Sequence, residues 1–395
     1  MVKTCIDKVY RDLYILRLDD DETRYFEGLW SIPEGITYNS YLLVTDQGAI
    51  LFDTWKHSYS SLFLEALERV VDLRDIRYLV VHHMEPDHSG ALPLVIRENP
   101  SVTVIGHRLV ENMIKSFYGV ETRFKPVSSL EGISIGGYNL EFIHAPWLHW
   151  PETIMTYIHE HKLLLSCDAF GAYSIPPTIT DQGVDLDRYM WYARKYFATI
   201  IGRYRGFVVK AIEKILSLGL EIEAIAPSHG IVWTRNSRLI IDMYHKWGIG
   251  EHVSGKAVIV YSSMYGFLEE AIGYVKDSLE EKGYVVLVYR YTDMEHSRIS
   301  DLIGEAYDSE LIVIGVSTYE STAFPLINYI VDLIASKIPA KKVLLVTAYG
   351  WGGNASKIIA DKLVSKGFNI VDTIEFKGRI VDTVVARIRE AIEKL

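Results

Sequence analysis

Leu79-Val80-Val81-His82-His83-Met84-Glu85-Pro86-Asp87-His88-Ser89-Gly90 is the stretch on which the first half of the chain turns. Tyr78 to Val81 is an apolar run of strand length, and it gives way at once to His, Glu, Asp and His. In an extended segment, side chains at i, i+2 and i+4 point the same way. On that spacing His83, Glu85 and Asp87 face one pocket. Imidazole and carboxylate together suit iron, zinc or manganese. The plain alternative is a polar loop after a core strand, for which Pro86 and Gly90 suffice.

Three more ligand types follow strand-like runs downstream. His149 lies in the Pro- and Trp-rich loop Ala145-Pro146-Trp147-Leu148-His149-Trp150-Pro151-Glu152. Asp168 ends the run Lys162–Cys167, and His229 follows Ile225-Ala226-Pro227-Ser228. Each alone reads as an ordinary loop residue or strand cap. Together they make four loops after strands, each offering a metal ligand. The other histidines, among them His57, His82, His107, His144 and His245, show no such pattern and read as surface or core residues.

Length and composition bound the rest. A chain of 395 residues exceeds one ordinary domain, and 49% hydrophobic against 23% charged residues describes a globular protein with large cores. A net charge of −10 without a Lys/Arg block argues against a nucleic-acid partner. The longest apolar runs have strand length, too short for a membrane span. The N-terminus lacks the apolar core of a signal peptide. Cys5 and Cys167 are the only cysteines, so neither a disulfide framework nor a four-cysteine site forms within one chain, and a reducing cytoplasm fits. Glutamine occurs only at Gln47 and Gln182, a weak sign of a heat-adapted source.

In chain order, strands are expected at Leu13–Leu16, Ser40–Val44 and Ala49–Phe52, with Asp53 directly after the last. Tyr59–Val71 reads as helix, Val102–Ile105 as strand, and Gly132–Phe142 as a hairpin about Gly136-Gly137. The alternation suggests two sheets flanked by helices. Tyr189–Ile201 and Phe207–Leu218 carry apolar residues at helical spacing. Trp247–Gly255 reads as a Gly-rich linker. From Lys256 the pattern changes. Ala257–Tyr261, Val285–Tyr289, Leu311–Val316, Val343–Thr347 and Ile370–Glu375 alternate with helices, the rhythm of a doubly wound parallel sheet of the flavodoxin-like kind. The expected domains are 1–250 and 254–395.

Three loops of this second sheet suit FMN. Ser262-Ser263-Met264-Tyr265-Gly266 makes a hydroxyl-rich phosphate nest at a helix start. Ser317-Thr318-Tyr319-Glu320 and Ala348-Tyr349-Gly350-Trp351-Gly352-Gly353 supply aromatics to stack on a flat ring and backbone groups for its polar edge. Phe267 and Leu268 stand where many such loops offer a further Thr or Asn. One phosphate hydrogen bond is therefore missing or made by backbone.

The set resembles the metallo-β-lactamase fold, whose signature His-x-His-x-Asp-His precedes a later His, a bridging Asp and a final His. Here it reads His83-x-Glu85-x-Asp87-His88, then His149, Asp168 and His229. Glu85 in place of the second His resembles the flavodiiron proteins, whose diiron centre reduces dioxygen or nitric oxide. The resemblance covers the whole chain. It implies an αββα metallo-β-lactamase-like sandwich followed by the flavodoxin-like sheet. It further implies two irons per chain, with His83, Glu85 and His149 on one, Asp87 and His229 on the other, and Asp168 bridging. His88 varies in this role within the family. Glu85, Asp87 and Asp168 bring three negative charges to two divalent metals, and a carboxylate-rich shell suits iron. Asp53 is expected to orient a ligand imidazole from behind. Tyr196 either reaches the metal pocket, where its phenol donates to a bound oxygen species, or is a core tyrosine.

The resemblance also implies a separate electron donor, rubredoxin or its reductase, since the cysteines are too few for a fused rubredoxin. A head-to-tail homodimer, or a dimer of such dimers, would bring the flavin of one chain to the iron of the other, with Tyr349 and Trp351 near the partner's metal pocket. Two other readings share the motifs: a zinc hydrolase of the same fold, and an electron carrier with a structural metal site.

Overall fold

The computed structural model describes residues 2–129 and 132–395. The chain divides into two compact units, Met1–Ile249 and Gly250–Leu395.

The first unit holds two sheets. One contains β1 (Lys3–Lys8), β2 (Leu13–Asp20), β3 (Ile36–Thr45), β4 (Gly48–Phe52), β5 (Ile76–Val81), β6 (Thr103–Gly106) and β7 (Arg123–Pro126), side by side in sequence order. Pairing is antiparallel through β4 and parallel from β4 to β7. The second contains β8 (Ile133–Ile135), β9 (Tyr138–His144), β10 (Ile154–Ile158), β11 (Leu163–Cys167) and β12 (Ala224–Pro227), antiparallel except for β11 with β12. The hairpin at Gly136-Gly137 is formed as the sequence suggests, Ile135 pairing with Tyr138.

Alternate residues of the strands meet between the sheets. Leu13, Ile15, Leu43, Ile50, Phe52 and Val80 from the first sheet pack with Leu140, Ile154, Ile158, Leu163 and Leu165 from the second. The opposite faces are buried as well: Leu16, Leu42, Leu51, Leu79 and Leu164 are all inaccessible. Such strands need cover on both sides. Helices Ser60–Glu68, Leu92–Glu98, Val110–Tyr118, Leu186–Tyr196, Arg205–Ser217 and Ser237–Ile249 belong to the same unit.

The second unit is built on β13 (Val253–Ser263), β14 (Val285–Thr292), β15 (Ser309–Tyr319), β16 (Lys342–Tyr349) and β17 (Asn369–Lys377). All are parallel, in the order β14-β13-β15-β16-β17. That is the flavodoxin-like order, in which ligands bind at the carboxyl ends of the strands about the β13/β15 switch point. Its central strands are continuous apolar runs, as burial on both faces demands.

The expected linker at Trp247–Gly255 is not a loop throughout. Trp247, Gly248 and Ile249 close the helix Ser237–Ile249, and Val253–Gly255 open β13. Helical apolar spacing continues into the first glycine, because Gly248 packs flat against Val209, where a Cβ would intrude.

Candidate functional site

Four loops on strand ends carry the candidate ligands. The first corrects the extended reading of His83, Glu85 and Asp87. The strand ends at Val81, and Pro86–Ser89 turns helically, with Pro86 at its first position. Glu85 and Asp87 therefore diverge instead of facing one way. Gly90 closes the loop, where a Cβ would run into His57 N and the Pro86 carbonyl.

The divergence sorts the ligands into two groups. His83, Glu85, His149 and Asp168 gather on one side, and Asp87, His88 and His229 on the other. Glu85 Oε2 lies 3.2 Å from His83 Nε2 and 2.8 Å from His149 Nε2. Asp87 Oδ2 lies 3.4 Å from His88 Nε2 and 3.5 Å from His229 Nε2. Asp168 stands between the groups and divides its oxygens. Oδ2 is 3.6 Å from both His83 and His149, whereas Oδ1 is 3.0 Å from His88 and 3.2 Å from His229. Its neighbour Cys167 holds a left-handed φ of 54°, which turns the chain sharply at the end of β11.

Backbone and carboxylate partners fix the tautomers. His229 Nδ1 is 2.6 Å from the Thr37 carbonyl, which can only accept, so Nδ1 carries the proton and Nε2 presents its lone pair. His83 Nδ1 likewise donates to Glu152 Oε1 at 3.0 Å. The same oxygen accepts from Met84 N–H at 3.1 Å, and Glu152 is fully buried. This carboxylate was not singled out in the sequence, although it stands three residues after His149 in the same loop. The expected role of Asp53 is corrected by this geometry. Asp53 binds His82, not a ligand imidazole: Oδ1 accepts from His82 N–H and Oδ2 from His82 Nδ1 at 2.6 Å. His82 Nε2 in turn meets Thr156 Oγ1, so His82 is a satisfied core residue.

Tyr196 extends from its helix to within 2.9 Å of Asp168 Oδ1, to which its hydroxyl donates. Burial, then the Asp168 charge, holds the phenol well above the ordinary tyrosine value. Burial pulls the imidazoles toward neutrality, but the carboxylates overrule it. Hydrogen bonds to Glu152 and Glu85 lift His83 far up, and Asp168 and Asp87 carry His229 to about 10. Burial likewise opposes charge on Asp168, yet the surrounding imidazoles, His88 foremost, hold it well below the usual carboxylate range. Such a nest of buried anions calls for positive charge, and protons or metal cations supply it. Both Asp87 oxygens and His229 Nε2 lack a well-aligned hydrogen-bond partner among the described residues, as unused ligand atoms would.

The second unit carries a cavity of about 340 Å³ at the carboxyl ends of β13, β15 and β16. All three expected loops contribute: Ser263, Met264 and Tyr265; Ser317, Thr318, Tyr319 and Glu320; and Ala348, Tyr349, Gly350 and Trp351. Phe267, Leu268 and Gly378 line it too. Gly378, after β17, carried no signal beyond its place at a strand end. Ser262, Gly266 and Gly352 do not line it. Gly266 instead takes a φ of 85° and donates its N–H to Ser263 Oγ at the start of helix Phe267–Glu281. The buried hydroxyls of Ser262 and Thr318 have no hydrogen-bond partner among the described residues. A phosphate-bearing, flat aromatic ligand fits this lining.

Residues 36–230 match the family described as ODP family beta lactamase. A solved variant of the flavodiiron protein from Thermotoga maritima is 36% identical with a TM-score of 0.94, the likeness covering 100% of this chain and 98% of that one. The nitric oxide reductase of Moorella thermoacetica is 32% identical over 362 residues, 91% of this chain and 90% of the relative. The chain belongs to the flavodiiron protein family. The rubredoxin:oxygen oxidoreductase of Desulfovibrio gigas, 24% identical with a TM-score of 0.93 over 99% of this chain and 97% of that one, shares the fold. In this chain the sandwich comes first and the flavodoxin-like sheet second. No helix among the described residues is long and apolar enough to cross a membrane.

Proposed function

We propose that this flavodiiron protein is an oxidoreductase that reduces dioxygen to water, and also nitric oxide to nitrous oxide, with electrons passed through FMN to two irons. The observation that carries this reading is the division of the Asp168 oxygens between the two ligand groups. One carboxylate placed in this way suits a bridge between two cations. In the first group His83, Glu85 and His149 would hold one iron; in the second Asp87, His229 and His88 would hold the other. Glu85 supplies an anion where a zinc hydrolase of this fold has imidazole, which favours iron and weighs against the hydrolase reading.

When bound, the irons would supply electrons at adjacent positions and FMN would take them from the donor and pass them on singly. The protein's own groups do the rest. Tyr196 keeps a proton beside Asp168 Oδ1, where reduction of either gas needs one. Glu152 holds His83 in the tautomer that presents Nε2. Glu85 and Asp87 border a cavity of about 240 Å³ walled by Tyr25, Phe26, Tyr38 and Lys56, wide enough for a diatomic gas. Buried rings around His229 keep bulk water from that side.

Dioxygen as the main substrate is a reading from family resemblance. The donor is rubredoxin, its reductase or a similar carrier, and the setting is the cytoplasm, consistent with two free thiols. Assembly is a head-to-tail dimer, since efficient transfer needs flavin and metal close together. Metal analysis of protein made anaerobically with iron, followed by turnover of both gases with one reduced donor, tests the reaction. Two zincs per chain with hydrolase activity would overturn it, and much faster nitric oxide turnover would reverse the order of substrates. Dimerisation is tested by mixing chains that lack FMN with chains that lack iron. Recovered turnover supports transfer between chains.

A further inference from the structure

The two ligand groups differ in what surrounds them. Around His229 the packed rings are Phe26, Tyr38 and Tyr196, all buried. Beside His83 and His149 stands Trp150, which is only half-buried. Its indole meets the His83 ring edge-on at 4.8 Å between centroids and the His149 ring at 6.3 Å. It also meets Phe117 at 6.4 Å, and Phe117 is 46% exposed. One oxidisable side chain therefore spans the distance from two ligand imidazoles to solvent.

Indole and phenol are the side chains that give up one electron most readily without a free thiol, and benzene rings do not. Van der Waals contact between rings allows an electron to pass quickly. The alternative partner on this path, Phe117, is closed to such a step, so Trp150 is its terminal redox residue.

We propose that Trp150 is an electron relay between the metal centre and the surface, acting through His83 and His149. It would drain oxidising equivalents when flavin electrons run short. The reaction of dioxygen to water consumes four electrons, and the irons hold two. With an oxidised flavin the centre is left short of electrons beside oxidisable ligands. The indole then gives one electron inward, its N–H proton passes to water, and the resulting indolyl radical regains one electron and one proton from a thiol-class donor at the surface. The inference rests on the iron reading above.

The test generates the radical from outside. Iron-loaded diferrous protein is mixed anaerobically with ruthenium tris-bipyridine and an oxidative quencher, flashed, and followed by transient absorption. In wild type an indolyl radical should appear and vanish as ferric absorption grows. In the zinc-loaded form, which has no electron to give, the radical should live at least tenfold longer. Trp150→Phe keeps an aromatic wedge but should slow ferrous oxidation at least tenfold, and Trp150→Tyr should restore it with a phenoxyl signal. Iron content of each variant separates relay from packing. Equal radical lifetimes in the iron and zinc forms overturn the relay, whatever the variants do. Failure of wild type to hold iron at all would instead overturn the functional reading beneath it.

Discussion

The two candidate sites both sit at strand ends, one in each unit of the chain, and are built on opposite terms. The metal cluster is almost wholly buried and defined by charge, and three of its ligands are held by a partner outside the cluster: Glu152 behind His83, Thr37 behind His229, Tyr196 beside Asp168. The cavity of the second unit is open and defined by shape. Trp351 is 84% and Tyr265 81% exposed, and among the described residues no Lys or Arg lines it. A charged site needs its residues fixed one by one, whereas a stacking site tolerates exchange. Substitutions should thus cost far more in the first than in the second.

The severest break is Asp168→Asn. An amide cannot give an anionic oxygen to both ligand groups, so both irons should be lost and gas reduction should fall at least about 100-fold. Metal analysis and turnover read this, with FMN content unchanged as the control. Retention of two irons would show that the charge argument is wrong.

Glu152→Gln should weaken iron binding by about 10- to 100-fold. The amide can still accept at one atom, but the negative charge that supports the His83 N–H is gone. Competition with a chelator measures the loss.

The third prediction concerns pH. In the iron-free protein His229 is raised to about 10, above its unfolded value near 6.5. Its contribution is complete below about pH 6.5 and is lost as pH rises toward 10, because protonation favours the folded state. Thermal stability of iron-free protein should therefore drop by several degrees across that window. Iron takes the place of the proton, so loaded protein should not show this drop, and a scan of both forms decides.

Trp351→Ala should have the smallest effect. Loss of one exposed stacking face costs about 1 kcal/mol, roughly a fivefold weaker FMN affinity, with iron content untouched. A collapse of flavin binding would place more of the site's energy in this ring than the open cavity suggests.

Legibility in the sequence follows the same division. The second unit's five strands and three cavity loops were readable, because a parallel sheet buried on both faces writes itself as apolar runs with the site at their ends. Ser263, Thr318 and Tyr349 needed no long-range information. The metal ligands were readable as residue types after strands, yet their grouping was not. That Asp87 faces His229 and Glu85 faces His149 depends on a helical turn at Pro86–Ser89 that the spacing alone did not show. Partners behind the ligands were hardest. Asp53 directly follows a strand and looked like support for a ligand, but its left-handed φ of 57° turns it to His82. Glu152, which does support His83, pairs with it across 69 positions of sequence.

The ligands also come from both layers of the sandwich. His83, Glu85, Asp87 and His88 follow β5 of the first sheet, while Asp168 and His229 follow β11 and β12 of the second. A bound metal pair would therefore act as a rivet through two plates, added to the hydrogen bonds that already join them at this end, such as Thr37 to His229 and His82 to Thr156. By closing long loops, such as that from Asp87 to His229, it would remove chain freedom from the unfolded state as a crosslink does. Stripping the metal should accordingly loosen both sheets together, so amide exchange would quicken at once in β5 and β11, the strands that lead into the ligand loops.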